Sequence, residues 1–235
     1  MTHTTGLYCA ITAHGTALLD TRHGRGQWRF LDPISTELWQ RIVAGTPTAD
    51  AIDTLTRSWA ARGADSQTVR TDLTRVADDL TKRRLLTPAA VADPSPRPAR
   101  VRVARHQPST FPARLAAHTG LALALTLLRC LPLRLTLTLA RTARRMPGRP
   151  ASLTRAEALH AAVRQAARGW PGRAACLEES LATLLAGALT GQRMHFVLGA
   201  TFLPHGAHAW NEADGHIIGQ APEDEVWPYE AVLKI

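Results

Sequence analysis

This chain of 235 residues contains almost no lysine and has no closely spaced cysteines. Lysine occurs only at Lys82 and Lys234, so the net charge of +9 is carried almost wholly by arginine. The three cysteines, Cys9, Cys130 and Cys176, are far apart and form no CxxC pair. An odd number of isolated cysteines argues against a zinc knuckle and against a disulfide framework. It indicates reduced thiols, as in the cytosol.

Signals for export, membrane insertion and nucleotide binding are also lacking. Residues 1–4 are not a basic segment followed by an apolar run, so no signal peptide is expected. No glycine-rich phosphate loop occurs, which argues against ATP binding. The longest uncharged run in the apolar segment, 115–128, has 14 residues, whereas a membrane span needs roughly 20. We expect buried or interfacial helices there, no membrane span and a cytoplasmic location.

The excess of positive charge invites a nucleic-acid-binding interpretation. However, the densest cluster of arginines, 97–105, lies among prolines in a predicted linker. The helix predicted over 66–84 mixes its basic residues with Asp72, Asp78 and Asp79, so it is not a basic recognition helix. We expect no nucleic acid as partner. A non-catalytic winged-helix protein that binds nucleic acid is kept as an alternative.

The first 88 residues have the pattern of a small winged-helix-like module. Short apolar runs separated by turn residues predict three strands, and apolar residues at helical spacing then predict three helices. The strands are expected over 7–11, 16–20 and 27–31. The helices are expected to begin near Pro33 or Ser35, near Thr48 and near Ser66.

A segment rich in proline and arginine, 89–110, predicts a linker between this module and a second domain, 111–235. The second domain has predicted helices first and predicted strands afterwards, a pattern typical of an α+β fold. The helices are expected over 111–128, 133–145 and 153–168 and from Cys176; the strands are expected over 195–199, 207–212 and 216–218.

A cysteine and a histidine carry the chemistry of the second domain. Cys176 begins an apolar helical stretch after a Trp170-Pro171-Gly172 turn, and a thiol at a helix N-terminus is favoured as the thiolate. His208 follows 32 residues later on a predicted strand. An imidazole placed there can hold the thiolate as an ion pair and pass a proton to a leaving group. The alternative is that Cys176 is a small buried apolar residue.

The predicted strand pairing in the hairpin after His208 suggests a third catalytic residue. If Glu212 pairs with His216 across a three-residue loop, then Gln220 lies opposite His208 on the same face of the sheet. A two-residue loop would shift the register by one residue and weaken this assignment. The acidic residues Glu223, Asp224 and Glu225 are the other candidates for this position.

Other histidines are interpreted as accessory. His205 is expected to border the site, and His195 is expected to be a strand residue without a special role. A metal bound by His205, His208 and His216 would lack a cysteine or carboxylate at ligand spacing, so neither a metal nor a cofactor is expected.

At this point the residues resemble a known family. The run Cys176-Leu177-x-x-Ser180-Leu181, a strand that ends at Gly199, and Ala207-His208-Ala209-Trp210-x-Glu212 before an Asp-Gly turn resemble the transglutaminase-like cysteine peptidases that mature lasso peptides. The N-terminal module resembles the PqqD-like domains that recognise precursor peptides. The matching residues there are Leu19-Asp20, Leu31, Leu38-Trp39, Ile42, Gly45-Thr46, Asp72, Leu80 and Leu85-Leu86. Their order in one chain is similar to the fused form of the lasso-peptide B protein.

The resemblance implies a substrate and a mode of recognition. The leader of a ribosomally made precursor peptide would add as a strand beside residues 27–31 and pack against the helix over 66–84. The leader contacts would then come from Trp28, Phe30, Val69, Leu73 and Val76; the alternative for each of them is a place in the core. A separate, ATP-dependent macrolactam synthetase is the partner that the family implies.

The same resemblance implies an activity, a cysteine peptidase that cuts the leader from the core peptide without a cofactor. Family members usually place an aspartate where this chain has Gln220. A glutamine can orient an imidazole by a hydrogen bond but cannot offset its positive charge. A transglutaminase or acyltransferase that forms an amide would use the same Cys176 and His208, so this alternative stays open.

Overall fold

The N-terminal module is built on a four-stranded sheet. The computed structural model describes residues 6–91, 100, 110–219 and 229–235. The first three strands are β1 (Leu7–Thr12), β2 (Gly15–Asp20) and β3 (Gln27–Leu31), and β4 (Ala90–Val91) is a short later addition. The strand order is β3-β2-β1-β4, with β4 parallel to β1 and the others antiparallel. One edge of this sheet is therefore β3.

Three helices follow the first three strands: α1 (Pro33–Val43), α2 (Thr48–Ala60) and α3 (Ser66–Lys82). Helices α1 and α3 cover one face of the sheet, and α2 packs against these two helices. Asp32 begins α1 by accepting a hydrogen bond from the N–H of Ser35 at 2.7 Å, and Asp65 begins α3 by accepting one from the N–H of Thr68 at 2.8 Å. The alternate residues of the strands that face these helices are buried against them, among them Leu7, Cys9, Leu18 and Leu31.

The opposite face of the same sheet is covered by the C-terminal half of the chain. Tyr8, Ala10, Ala17 and Leu19 belong to one apolar cluster with the C-terminal helices. Arg141 also donates a hydrogen bond to the hydroxyl of Tyr8 at 2.8 Å. The two halves therefore share a hydrophobic core. The division into two domains joined by a linker at 89–110 stays a prediction from the sequence.

The described part of the C-terminal half contains four helices: α4 (Phe111–Cys130), α5 (Leu133–Arg145), α6 (Leu153–Arg168) and α7 (Cys176–Leu189). Helix α7 is the central one, and residues 180–187 along it are all buried. Helix α4 approaches it closely at Gly120, where a Cβ atom would come within 2.6 Å of the carbonyl oxygen of Ala182. Only a glycine permits this approach, which brings α4 against α7.

A second sheet lies against these helices. Its strands are β7 (His195–Phe202), β8 (His205–Ala213), β9 (His216–Ile217) and β10 (Glu230–Lys234), in the order β10-β7-β8-β9; β5 (Arg149–Pro150) pairs separately with β6 (Gln192–Arg193). One face of β7 and β8 packs on the helices through Phe196, Leu198, Ala200 and Ala209. The mixture of helices and strands confirms the predicted α+β fold.

The hairpin between β8 and β9 corrects the predicted register. Ala213 pairs with His216 and Glu212 pairs with Ile217, so the loop contains two residues rather than three. Both loop residues, Asp214 and Gly215, have positive φ values of 51° and 72°, as in a type I′ turn. The argument that placed Gln220 opposite His208 was therefore wrong by one residue. Gln220 itself lies outside the described residues.

Candidate active site

Cys176 is the first residue of α7. Ala175 before it has an extended backbone, and its N–H donates to the carboxylate of Glu178 at 3.0 Å, which anchors the start of the helix. The Cys176 side chain is half-buried, so a substrate can reach it. By contrast, Cys9 is buried in the core, where burial raises the pKa of its thiol to about 11. Cys9 therefore stays protonated and unreactive at neutral pH.

His208 lies in β8 on the face of the sheet that is turned away from the main helical core. Its ring forms an aromatic cluster with two other rings, with its centroid 6.1 Å from that of Trp210 and 5.1 Å from that of Tyr229. Gly199 is the residue directly opposite His208 in β7, and the Trp210 indole packs over this glycine. The aromatic rings limit the orientations that the imidazole can take.

Tyr229 lies beside the ring of the candidate histidine, His208. Burial, and then the negative charge of Cys176, raise the pKa of the Tyr229 hydroxyl above its ordinary value. The sequence did not indicate Tyr229, because it follows the hairpin without a motif and reaches His208 only through the fold.

A hydrogen bond also joins the helix of the cysteine to the strand of the histidine. The hydroxyl of Ser180, one turn after Cys176, donates to the carbonyl oxygen of Ala209 at 3.0 Å, and Ala209 is the neighbour of His208. Ser180 is only 3% exposed, so this bond is shielded from water. It fixes the distance between α7 and β8 beside the candidate site.

Replacing Ser180 by alanine should test this connection. We expect a loss of about 1–2 kcal/mol in the free energy of unfolding, because the buried carbonyl loses a partner. We also expect a lower kcat with a smaller change in KM, because α7 and β8 are no longer held in register. Thr142→Ala is the matched control, since that exposed hydroxyl bonds only within α5. Equal effects of the two substitutions on kcat would contradict the positioning role.

Tyr229 provides a second test, in which the ring and the hydroxyl are separated. Tyr229→Phe keeps the ring beside His208 and should retain most of the activity, whereas Tyr229→Ala should lower kcat by roughly tenfold through a poorly held general acid. Because its pKa is raised, the Tyr229 hydroxyl stays protonated up to pH values above its ordinary range. Wild type and Tyr229→Phe should therefore have the same pH–rate profile below about pH 10. If the pH–rate profile of wild type has a limb that the profile of Tyr229→Phe lacks, the hydroxyl takes part in the reaction.

The accessory histidines have separate surroundings. The His205 ring stacks on Phe30 of β3 with a centroid distance of 4.6 Å, so it lies where the two halves of the chain meet. His195 contacts the carbonyl oxygen of Ile235, and burial, followed by the charges of Arg144 and Lys234, lowers its pKa. Within the described residues, no three His, Cys, Asp or Glu side chains come together as metal ligands.

The residues proposed to contact a leader divide into two groups. Trp28 and Phe30 are half-buried on β3 and pack at the edge of the core that the two halves share. On α3, Leu73 is buried at 2% exposure, while Val69 and Val76 are half-buried. Leu73 is thus a core residue, and Val69 and Val76 retain some exposed surface. The alternatives to Gln220, which are Glu223, Asp224 and Glu225, lie outside the described residues.

A comparison with known families finds a match in the part of the chain that contains α7 and the second sheet. Residues 117–233 match the model of the transglutaminase-like superfamily. The C-terminal half carries a transglutaminase-like domain. This type of fold is that of Cys–His peptidases and acyltransferases, and the match includes Cys176, His208 and Tyr229. No curated protein and no solved structure gives a significant match.

Proposed function

We propose that this protein is a leader peptidase of lasso-peptide biosynthesis, a cysteine peptidase that acts in the cytoplasm. The observation that carries the proposal is the Ser180–Ala209 hydrogen bond, which holds the helix that begins at Cys176 against the strand of His208 within a transglutaminase-like domain. The substrate is a precursor peptide, and the peptidase removes its leader segment. Neither a metal nor an organic cofactor is needed for this reaction.

The proposed reaction has two steps. The Cys176 thiolate attacks the carbonyl carbon of the scissile peptide bond, and His208 gives its proton to the departing amine, so that a thioester forms as the C–N bond breaks. His208 then takes a proton from water as the water attacks the thioester, and the carbon–sulfur bond breaks to release the acid and regenerate the thiolate and the protonated imidazole. The backbone N–H of Cys176, at the start of α7, is the proposed donor to the developing oxyanion. The Ser180–Ala209 hydrogen bond supports this geometry.

Strand β3 is the proposed docking edge for the leader. It is an edge strand of the N-terminal sheet, with β2 as its neighbour, so a peptide can add to it through main-chain hydrogen bonds. Val69 and Val76 on α3 would add apolar contacts. Phe30 of β3 stacks on His205, three residues before His208. A leader bound at β3 would therefore lie against the half of the chain that contains the active site.

The decisive experiment follows the mass of a precursor peptide taken from the neighbourhood of the gene. Wild type should release the leader as a separate fragment, and Cys176→Ala should not. Cys130→Ala is the matched control, because Cys130 is an exposed cysteine at the end of α4. An excess of free leader should inhibit cleavage by competition. An intact precursor after incubation with wild type and the synthetase partner would overturn the proposal.

The same assay separates the alternatives. With a primary amine present, an acyltransferase would give a product that carries the amine, whereas a peptidase gives the free acid. Tight DNA binding that weakens steeply with salt, together with an intact precursor, would instead favour the nucleic-acid-binding alternative.

A further inference from the structure

We propose that the exposed face of α4 and α5 binds the surface of an anionic phospholipid bilayer, with the protein lying on the membrane rather than crossing it. This inference does not depend on the reaction at Cys176. It rests on exposed apolar side chains, on the distribution of charge and on the way in which the two helices are packed.

Helix α4 is too apolar for its degree of burial. By length and composition it is the one helix in the described part of the chain that could cross a membrane, with a mean hydropathy of 1.3. A core helix of this hydropathy would be mostly buried, yet only 33% of this one is buried. Phe111 is 77% exposed, Leu115 is 61% exposed and Leu123 is 43% exposed. These three side chains follow helical spacing along the solvent side of α4.

Helix α5, which follows α4 in the chain, also exposes apolar side chains. Leu135 is 50% exposed, Leu139 is 43% exposed and Met146, at the C-terminal end of the helix, is 44% exposed. Together with the residues of α4, they are six of the ten large exposed apolar side chains in the described part of the chain. Such concentration on two neighbouring helices marks an interaction surface, whereas scattered residues would not.

The charge of this region identifies the occupant. Residues 94–156 contain no Asp or Glu and twelve Arg, in a chain that has nineteen acidic residues elsewhere. Arg114, Arg134 and Arg145 are exposed on or beside α4 and α5. Apolar side chains flanked by arginine, without any acidic residue, are typical of helices that lie in the interface of an anionic bilayer. Trp170, an interfacial residue type, stacks nearby against Arg129.

The packing of α4 excludes a transmembrane orientation in this fold. Its other side, with Ala117, Leu121 and Leu125, is buried in the core that includes α7. A helix that uses one side for the protein core has only its exposed side for lipid. The helix therefore lies along the bilayer surface, with its exposed side facing the headgroups and the outer acyl region.

Flotation of the full chain with vesicles tests the proposal. The protein should float with vesicles of phosphatidylcholine and phosphatidylglycerol and should stay behind with phosphatidylcholine alone. Raising the salt from about 0.1 M to about 1 M should release much of it, since the Debye length falls from about 10 Å to about 3 Å. Equal flotation with both kinds of vesicle, or none with either, would overturn the proposal.

Two pairs of variants locate the surface. Arg134→Gln/Arg145→Gln should weaken partitioning roughly 25-fold, at about fivefold for each arginine. The control, Arg57→Gln/Arg75→Gln, removes the same charge from exposed positions of α2 and α3. This control should change partitioning by less than about fivefold. Phe111→Ser/Leu115→Ser should weaken partitioning at least tenfold through lost apolar burial, whereas Leu189→Ser, at an exposed site at the end of α7, should not. Unfolding curves confirm that each variant is folded.

Size-exclusion chromatography decides between lipid and protein as the occupant. If Phe111→Ser/Leu115→Ser converts an oligomer into a monomer without changing flotation, the surface is an interface between copies of the chain and the proposal is wrong. If the variant lowers flotation while the oligomeric state stays the same, the lipid surface is supported.

Discussion

Cys176→Ala is expected to abolish removal of the leader, with a loss of about 10⁴- to 10⁶-fold in kcat. The reason is chemical: the thioester forms on the Cys176 sulfur, which alanine lacks. His208→Ala should cause a loss of the same order, because the departing amine then has no proton donor. The double variant should be hardly worse than either single one, since the two residues act as a unit.

The measurement is the rate at which the leader fragment accumulates under single-turnover conditions, with binding of the leader followed separately. Both variants should still bind the leader as wild type does, because β3 and α3 are unchanged. Cys130→Ala should cleave at the wild-type rate. If Cys176→Ala retained more than about one hundredth of the activity, a different nucleophile would have to be sought.

Gly199→Ala is expected to have the largest effect on the fold around the site. A Cβ atom at this position would overlap the indole of Trp210 and lie 2.7 Å from the carbonyl oxygen of Glu230 in β10. The indole would have to move, and it is one of the two rings that hold His208. We expect a loss of about 3 kcal/mol in the free energy of unfolding, at the upper end for overpacking. The folded fraction should also have a lower kcat.

Gly206→Ala is the matched control for this prediction, because Gly206 lies in the same hairpin. There the nearest atom to a new Cβ is Cγ2 of Thr201 at 3.3 Å, the end of a side chain that can adjust. Its effect on unfolding by urea should be under about 1 kcal/mol. A Gly199→Ala variant as stable and as active as Gly206→Ala would show that Trp210 does not restrain His208.

The sequence predicted the helices and most of the longer strands for local reasons, but it did not predict β10. Asp32 and Pro33 indicate the start of α1, an amphipathic pattern indicates α6, and a continuous apolar stretch indicates α7. The alternating pattern of β1, β2 and β3 follows from a sheet with alternate residues on its two faces. The short strands β4, β5 and β6 have two residues each, too few for any periodicity to show.

The hairpin after β8 shows where local reasoning failed. Asp214 and Gly215 fit either a three-residue loop or a two-residue loop, and the strand pairing of Ala213 with His216 selects the second. A change of one residue moves the following strand residues to the other face of the sheet. Gln220 was predicted as the third catalytic residue from that register, so this argument for it no longer holds, while its role stays a prediction.

The sequence by itself determined that the chain is an α+β protein with a cysteine at a helix start and a histidine on a later strand. These are properties of local spacing. Tertiary structure alone decided that the Tyr229 ring packs beside His208, that Ser180 joins α7 to β8, and that the N-terminal sheet is covered on both faces. Such contacts join residues far apart in the chain, and they depend on how helices and sheets pack, which no local pattern records.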